Sequence, residues 1–591
     1  MFSKKEHSIG NVEKVTAVFA GILLIVRLAA SFFPERRLWG INHLAYFSPI
    51  LSWIIIIGAL LVLIPRINSF LAKAFRKSYN SFKDKTKRMS IGWKDLFFVS
   101  ASFSVFWLLR TKTYFLGDSY LRFREVEQGI KFKATEPLDL YLHSLAYQLT
   151  HNLWGWNGST TYALISCLAG AVFVYSLLFL ARLLSQNKTE RLLIFITLFT
   201  AGATQFFFGY VESYTLMYLG IFLYITFSIQ FLKGKTSFAI PSFFLLLSFG
   251  LHLSSLYLLP SLAYLFFVAV NKKWEEKEKK DLIKRNIFPY LIVGFVVLTV
   301  GYYLYRQFVL HKGGTALGSF LLPFSGAKGQ AYTLFSSSHI TDFLNEQILL
   351  SPLGLAIWGI LGFVFIRKIS FQHPIELFLG LISLASLAFA FMVDPKLGYA
   401  KDWDLFASTA LGYTLLGIHF LLKLLKGFRS WGYVVLVFTV LGLVSTLPFV
   451  VVNASVDRSI ARLKDLLDLD PQKSAYGREI LSVYYRNRGD KEKEIEQLRK
   501  TIVVARTARC LNKLGVALCE WGSFEEGIEY LKEGIQRDPR FYIIYKNLAA
   551  IYARLGKNKE AAEQLELYLK YNPKTKDSLL VRSMIEDLRS K

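Results

Sequence analysis

Asp118, Glu212, Asp394, Asp402 and Asp404 all stand in segments between long apolar runs, and His252 marks a break inside one of them. A charged group that close to hydrocarbon is unfavourable unless it has a partner or a task. The task such side chains suit is proton transfer, in which a carboxylate or imidazole takes or gives a proton as a bond is made. His252 either orients an anion or an acidic neighbour such as Glu212, or caps the helix break. Asp402 and Asp404 form an Asp-x-Asp pair that can lend oxygens to a divalent cation, though such an ion needs more ligands and Lys401 beside them offers a plain ion pair. Further on, His339, Asp342 and Glu346 share one face if their segment is helical. The serines at 336–338 then cap a solvated first turn, or the face is a polar surface over a reactive cavity. Arg110, Arg122, Arg124, Arg306 and Lys401 are the nearby cations for a developing negative charge.

Those residues have to be held by membrane helices. The chain has 591 residues, 53% hydrophobic, 16% aromatic and 19% charged, a balance that excludes a single soluble domain. A crossing takes about 20 apolar residues, and about thirteen runs approach that: 15–33, 47–65, 95–109, 159–181, 192–209, 213–232, 238–250, 252–270, 287–309, 349–366, 374–393, 405–422 and 431–453. The stretch 238–270 is taken as two short helices meeting near His252, because a single helix would put the basic stretch 272–285 outside. The cytoplasmic segments then hold 29 Lys and Arg and the external loops 13. This places the N-terminus in the cytoplasm, the C-terminus outside, and the carboxylates above on one external face. No small-residue cleavage site precedes the first run, which is expected to remain as a span.

The net charge of +27 comes mostly from residues 1–453, with 43 Lys+Arg against 22 Asp+Glu. Basic loops flanking spans touch anionic lipid, so nucleic acid is excluded as a partner. Cys167, Cys510 and Cys519 make neither a metal cluster nor a disulfide framework. The basic segment after residue 65 is expected to lie along the cytoplasmic interface.

From residue 454 the apolar runs stop and a period of 34 appears: Gly515 and Ala549, Gly522 and Gly556, Pro539 and Pro573. Leu514, Leu518, Gly527 and Leu531 recur as Leu548, Tyr552, Ala561 and Leu565, a pattern of paired antiparallel helices packing small residues against large ones. It resembles the tetratricopeptide repeat. A degenerate copy with Leu481, Tyr484, Gly489 and Leu498 precedes these two, and 578–588 is a candidate capping helix. Three repeats are about the minimum that buries a continuous core. The expected layout is residues 1–94 as two N-terminal helices with a basic segment, 95–453 as the catalytic membrane domain, and 454–591 as the repeat domain. The fold class is therefore all-α, a polytopic membrane protein followed by helical repeats.

The longest external loop, 110–158, opens with Gly117, Asp118 and Ser119 just past a span. It continues from Glu136 and Pro137 into an amphipathic helix with an apolar stripe of Leu138, Tyr141, Leu142 and Leu145, suited to the membrane interface. An acidic residue after a transmembrane helix, followed by interfacial helices, resembles the GT-C class of membrane glycosyltransferases, including protein O-mannosyltransferases and lipid A aminoarabinose transferases. Glu212, in the hairpin from Phe208 to Tyr214, is similar to the second acidic position of that class. The segment from Lys401 to Phe406 looks like one in bacterial members with tetratricopeptide tails. The resemblance covers about 95–453, and Ser119 departs from the paired acids of protein O-mannosyltransferases. It implies transfer of a single sugar, with inversion, from a polyprenyl-phosphate donor to an acceptor hydroxyl on the external face. It puts Asp118 at the place of the base and Glu212 at the second catalytic acidic position; residue type and placement add Arg110, Arg122, Arg124, His252, Arg306, His339, Asp342, Lys401, Asp402 and Asp404 as candidates around donor and acceptor. A divalent cation is possible, and no other cofactor is implied.

Two other functions fit the layout. A polymerase or ligase of lipid-linked glycans would use Arg and His of a late external loop, where His311, His339, Lys312 and Lys328 stand. A transporter or flippase would carry charge within the membrane, where Arg27 is the clear instance. In each case the expected location is the inner, cytoplasmic membrane. The expected partners are lipid and, through the repeats, a protein or glycan acceptor or a protein partner. The stretch 313–329, with five glycines, is a lid over the cavity or an idle loop.

Overall fold

The computed structural model describes residues 2–85, 90–275, 320–324, 332–426, 428 and 430–590, whose regular structure is helical apart from one bridge pairing Leu321 with Val393. The chain divides into two compact units, Met1–Leu466 and Leu467–Lys591. The first contains α1 (Phe2–Ala30), α2 (Pro49–Val62), α3 (Pro65–Lys85), α4 (Ile91–Leu108), α5 (Ser119–Glu127), α6 (Pro137–Trp154), α7 (Gly158–Leu184), α8 (Lys188–Phe199), α9 (Tyr214–Leu232), α10 (Ala239–Leu251), α11 (Leu259–Glu275), α12 (Ser337–Leu350), α13 (Pro352–Phe365), α14 (Pro374–Met392), α15 (Ala410–Leu424) and α16 (Trp431–Asn453). It also holds most of α17 (Val456–Leu469).

Six described stretches are long and apolar enough to cross a membrane: Gly158–Leu184, Tyr214–Leu232, Leu253–Asn271, Pro374–Met392, Trp403–Leu424 and Trp431–Asn453. Two bent pairs, α2 with the start of α3 at 91° and α12 with Pro352–Lys368 at 100°, raise the number to eight. Thirteen is not reached among the described residues, and the run 287–309 lies outside them. Two expected runs are interrupted for local reasons. The run 192–209 leaves α-helix at Phe199 and continues as the 3₁₀ turn Gly202–Phe207, where Gly202 packs so close to the Leu349 carbonyl that a Cβ has no room. The run 349–366 breaks at Pro352, which lacks the N–H to continue α12, while Ser351 Oγ accepts from Gly354 N at 3.2 Å and starts α13. The stretch 238–270 breaks at His252, as its two-helix reading requires.

Three backbone bonds stitch the segment after α4 into the rest. Thr111 N donates to Phe208 O at 2.8 Å, Lys112 N to Asn453 O at 3.0 Å and Gly117 N to Lys401 O at 2.8 Å. They tie the start of the long loop to the 3₁₀ hairpin, the end of α16 and the turn before Trp403. In α6, Tyr141, Leu142, Leu145, Leu149 and Leu153 face outward while Asp139, His143 and Ser144 are buried. An apolar outer face with a polar inner one is the pattern of a helix at a lipid interface. Inside, the His143 ring stacks on Tyr162 at 3.8 Å, and its Nδ1 lies 3.2 Å from Asp139 Oδ2.

The second unit is built from helix pairs α18/α19 (Ala475–Arg486, Lys491–Val504), α20/α21 (Ala508–Glu520, Phe524–Arg537) and α22/α23 (Ile543–Arg554, Asn558–Tyr571), closed by α24 (Ser578–Ser590). Gly489, Gly522 and Gly556 turn the chain within each pair at φ of 71°, 92° and 72°, a region glycine enters without a steric cost. At Gly515 an added Cβ would stand 2.7 Å from Gly527 O, so the repeated small residues are where two helix backbones meet. Leu531, Leu548 and Leu565 fill the core, and Val581 and Ile585 of α24 cover its end. All three cysteines are free and buried.

Candidate active site

Asp118 ends the loop after α4 and occupies the N-cap position of α5, where its carboxylate caps no backbone group and instead accepts from Arg122 Nη2 at 2.9 Å. Its side chain is 40% exposed. Gly117, at φ +59°, is what brings the other acids in: a Cβ there would collide with Glu212 Oε1 and stand 2.6 Å from Asp404 Oδ2. Glycine at this position therefore lets the two carboxylates face each other across the backbone that carries Asp118. Glu212 and Asp404 are each 1% exposed, and Glu212 Oε1 has no hydrogen-bond partner among the described residues. Asp404 accepts from Tyr210 Oη at 3.3 Å and from Leu405 N at 3.1 Å.

Arg122 is the counter-charge. It reaches Glu136 Oε1 at 2.5 Å, Glu125 Oε2 at 2.8 Å and Glu212 Oε2 at 3.9 Å besides Asp118. Burial pulls its pKa down, but Glu136, Glu212, Asp118 and Glu125 overcome this and hold it above the usual value. Burial likewise favours the neutral form of Glu136, yet Arg122, His252 and Lys133 together keep its carboxyl below the usual range. Glu212 goes the other way: burial, then Asp404, push its carboxyl well above the usual range against the pull of Arg122. The cluster thus sets the carboxylates held on Arg122 beside a buried pair, Glu212 and Asp404, whose burial and mutual repulsion favour a retained proton.

His252 does two things at once. Its Nδ1 accepts from Ser254 N at 3.0 Å, capping the break, and its Nε2 lies 3.6 Å from Glu136 Oε2. Its acidic neighbour is Glu136, read in the sequence only as a helix start, rather than Glu212. Lys133, 2.9 Å from Glu136, is a second residue the sequence did not single out. Tyr210 and Glu125 were also missed. Their only sequence signal is position, in the same hairpin as Glu212 and the same helix as Arg122.

The remaining candidates make other contacts. Arg110 lies over the Trp107 ring at 4.5 Å and bonds its carbonyl, and Arg124 is held over Tyr120 at 5.1 Å. Lys401 is buried, with its carbonyl on Gly117 N. Asp402 accepts from Leu397 N at 2.8 Å, and Asp394 pairs with Lys396 at 3.0 Å. No group of three or more His, Cys, Asp or Glu among the described residues is placed to hold a metal ion. Ser336 does cap α12, accepting from His339 N at 3.3 Å, but His339, Asp342 and Glu346 are buried rather than solvated. Asp342 is engaged by Arg37 at 2.6 Å, Trp39 at 2.8 Å and Tyr332 at 2.7 Å, which makes it a brace for the segment after α1. Arg306, His311, Lys312, Lys328 and most of the glycine-rich stretch lie outside the described residues.

No protein-family profile and no curated sequence matches the chain. Among solved structures it is similar to the crystal structure of ArnT from Cupriavidus metallidurans bound to undecaprenyl phosphate, at 13% identity and a TM-score of 0.34, covering 81% of this chain and 80% of that one. It is also similar to the crystal structure of the APC/C hetero-tetramer Cut9-Hcn1, at 10% identity and a TM-score of 0.21, covering 80% of this chain and 96% of that one. Both scores are low, so the chemistry below is built on the geometry of the site.

Proposed function

We propose that the chain is a membrane glycosyltransferase that moves a sugar from a polyprenyl-phosphate donor to an acceptor hydroxyl on the extracytoplasmic face, with the repeat unit positioning the acceptor or a partner. The observation that carries this reading is the gathering of Asp118, Glu212 and Asp404 around Gly117, from three segments far apart in sequence. Asp118 is the exposed member and the base. Its carboxylate takes the acceptor proton as the acceptor oxygen bonds to the anomeric carbon. The bond from that carbon to the phosphate oxygen breaks, and its electron pair leaves with the phosphate. Arg122 holds Asp118 in position. Glu212, kept protonated by burial and by the neighbouring Asp404, donates a hydrogen bond without adding charge. The donor phosphate is met by cations among Arg110, Arg124, Arg306 and Lys401.

Membranes containing the chain, incubated with a panel of polyprenyl-phosphate sugars labelled in the sugar, test this. The reading expects label to pass from one donor into an acceptor in step with release of polyprenyl phosphate. Transport of intact donor with no bond cleaved would replace it with the transporter reading.

A further inference from the structure

A chain of ring contacts leads away from the carboxylates to a second, cationic cluster. Tyr210, bonded to Asp404, packs edge-on to Trp403 at 5.3 Å, and Trp403 packs on Phe449 at 5.3 Å. Phe449 has the guanidinium carbon of Arg462 at 4.8 Å and the His43 ring at 4.9 Å. Arg462 comes from α17 and His43 from the turn after α1, while Arg27 stands in the last turn of α1. Arg27 and Arg462 are each 2% exposed and His43 1%. Nε and Nη2 of Arg27, all three guanidinium nitrogens of Arg462 and both ring nitrogens of His43 have no hydrogen-bond partner among the described residues.

The acid in this region is already used: Asp465 accepts from Tyr46 Oη at 3.0 Å. Arg458 is spent on the Tyr46 carbonyl and the Phe47 ring. Burial, then Arg462 and Arg27, lower the His43 pKa well below its usual value, so His43 is neutral and adds no charge. Among the described residues neither buried guanidinium group has a carboxylate partner, and a buried charge of this kind is strongly unfavourable unless an anion completes it. Paired guanidinium forks fit the oxygens of a phosphate.

We infer that Arg27, His43 and Arg462 form a buried binding site for a phosphate group, with the two guanidinium groups as charge partners and the His43 imidazole as a hydrogen-bond donor. This site shares no residue with the carboxylate cluster and does not depend on the transfer reaction proposed above. The phosphate belongs to a lipid headgroup or to soluble phosphate.

Thermal unfolding of the purified full-length chain in detergent separates these sources, with polyprenyl phosphate, uncharged polyprenol and sodium phosphate as probes. Wild type and Asp118→Asn are expected to be stabilised by polyprenyl phosphate and not by polyprenol, with an apparent affinity at least tenfold weaker in Arg27→Gln/Arg462→Gln. Stabilisation by sodium phosphate alone, with the same dependence on the arginines, assigns the site to soluble phosphate. Arg462→Lys keeps the charge without the fork and is expected to bind with intermediate affinity, which decides the matter if the double variant does not fold. No stabilisation of wild type by either phosphate, or full stabilisation of the arginine variants, overturns the site. Inactivity of the chain on every donor, with phosphate binding intact, would sink the transfer reaction and leave this site standing.

Discussion

Arg122 stands among Asp118, Glu125, Glu136 and Glu212, and the buried ones depend on it. Arg122→Gln leaves buried Glu136 with only the part-exposed Lys133 as a cation, and breaking a buried pair in this way costs up to about 3–5 kcal/mol; Arg122→Lys should recover only part, because a point charge cannot serve several carboxylates as a fork does. Thermal unfolding of the two variants measures both effects. Glu212 gives a prediction with a sign. Its folded-state carboxyl is raised, so its contribution to stability is complete below the unfolded value of about 4.3 and is lost as pH rises toward the folded value. Stability followed by denaturant from acid upward should therefore fall with this component in wild type, and Glu212→Gln should lack it. Asp118 and Glu212 were legible in the sequence because a carboxylate in a short turn between apolar runs needs a reason to be there. Glu136 was not, since its partners Arg122 and His252 meet it only in three dimensions, and a Glu before a Pro reads as an ordinary helix start.

At the scale of elements, the site depends on a left-handed glycine between a loop and α5. Gly117→Ala meets two penalties: about 1–2 kcal/mol for the left-handed backbone, and a methyl driven against Glu212 and Asp404. The expected outcome is a folded, less stable chain with transfer reduced more than a hundredfold, seen by comparing melting and turnover in one preparation. A variant with wild-type turnover would mean that the two carboxylates need not face each other. The sequence located the long loop after α4, the amphipathic α6 and the break at His252, because glycine, proline and apolar periodicity are local signals. It read 192–209 and 349–366 as plain spans, since hydropathy registers neither the approach of Gly202 to the Leu349 carbonyl nor the helix restart at Ser351 and Pro352.

For the whole molecule, the turn glycines 33 and 34 residues apart, Gly489, Gly522 and Gly556, made the repeat unit legible before any coordinates, whereas nothing local showed that α17 carries Arg462 into the first unit. A chain ending at Asp470 keeps Arg462 and Asp465 and removes the helix pairs. It should still release polyprenyl phosphate with a small soluble acceptor while losing most transfer to a macromolecular one, and equal losses in both assays would contradict the role given to the repeats. Buried charge is the common thread: Arg122 is balanced by carboxylates, Glu212 is pushed toward its neutral form, and Arg27 and Arg462 carry guanidinium nitrogens with no hydrogen-bond partner among the described residues. The most direct measurement of the central claim is the rate of polyprenyl phosphate release for Asp118→Asn beside wild type and Glu212→Gln, with expression and melting matched. The account predicts that Asp118→Asn falls by about 10²–10⁴, the range of a lost general base, while Glu212→Gln, which keeps a neutral hydrogen-bonding group, retains a measurable fraction. Wild-type release from Asp118→Asn would remove the base and, with it, the proposed reaction.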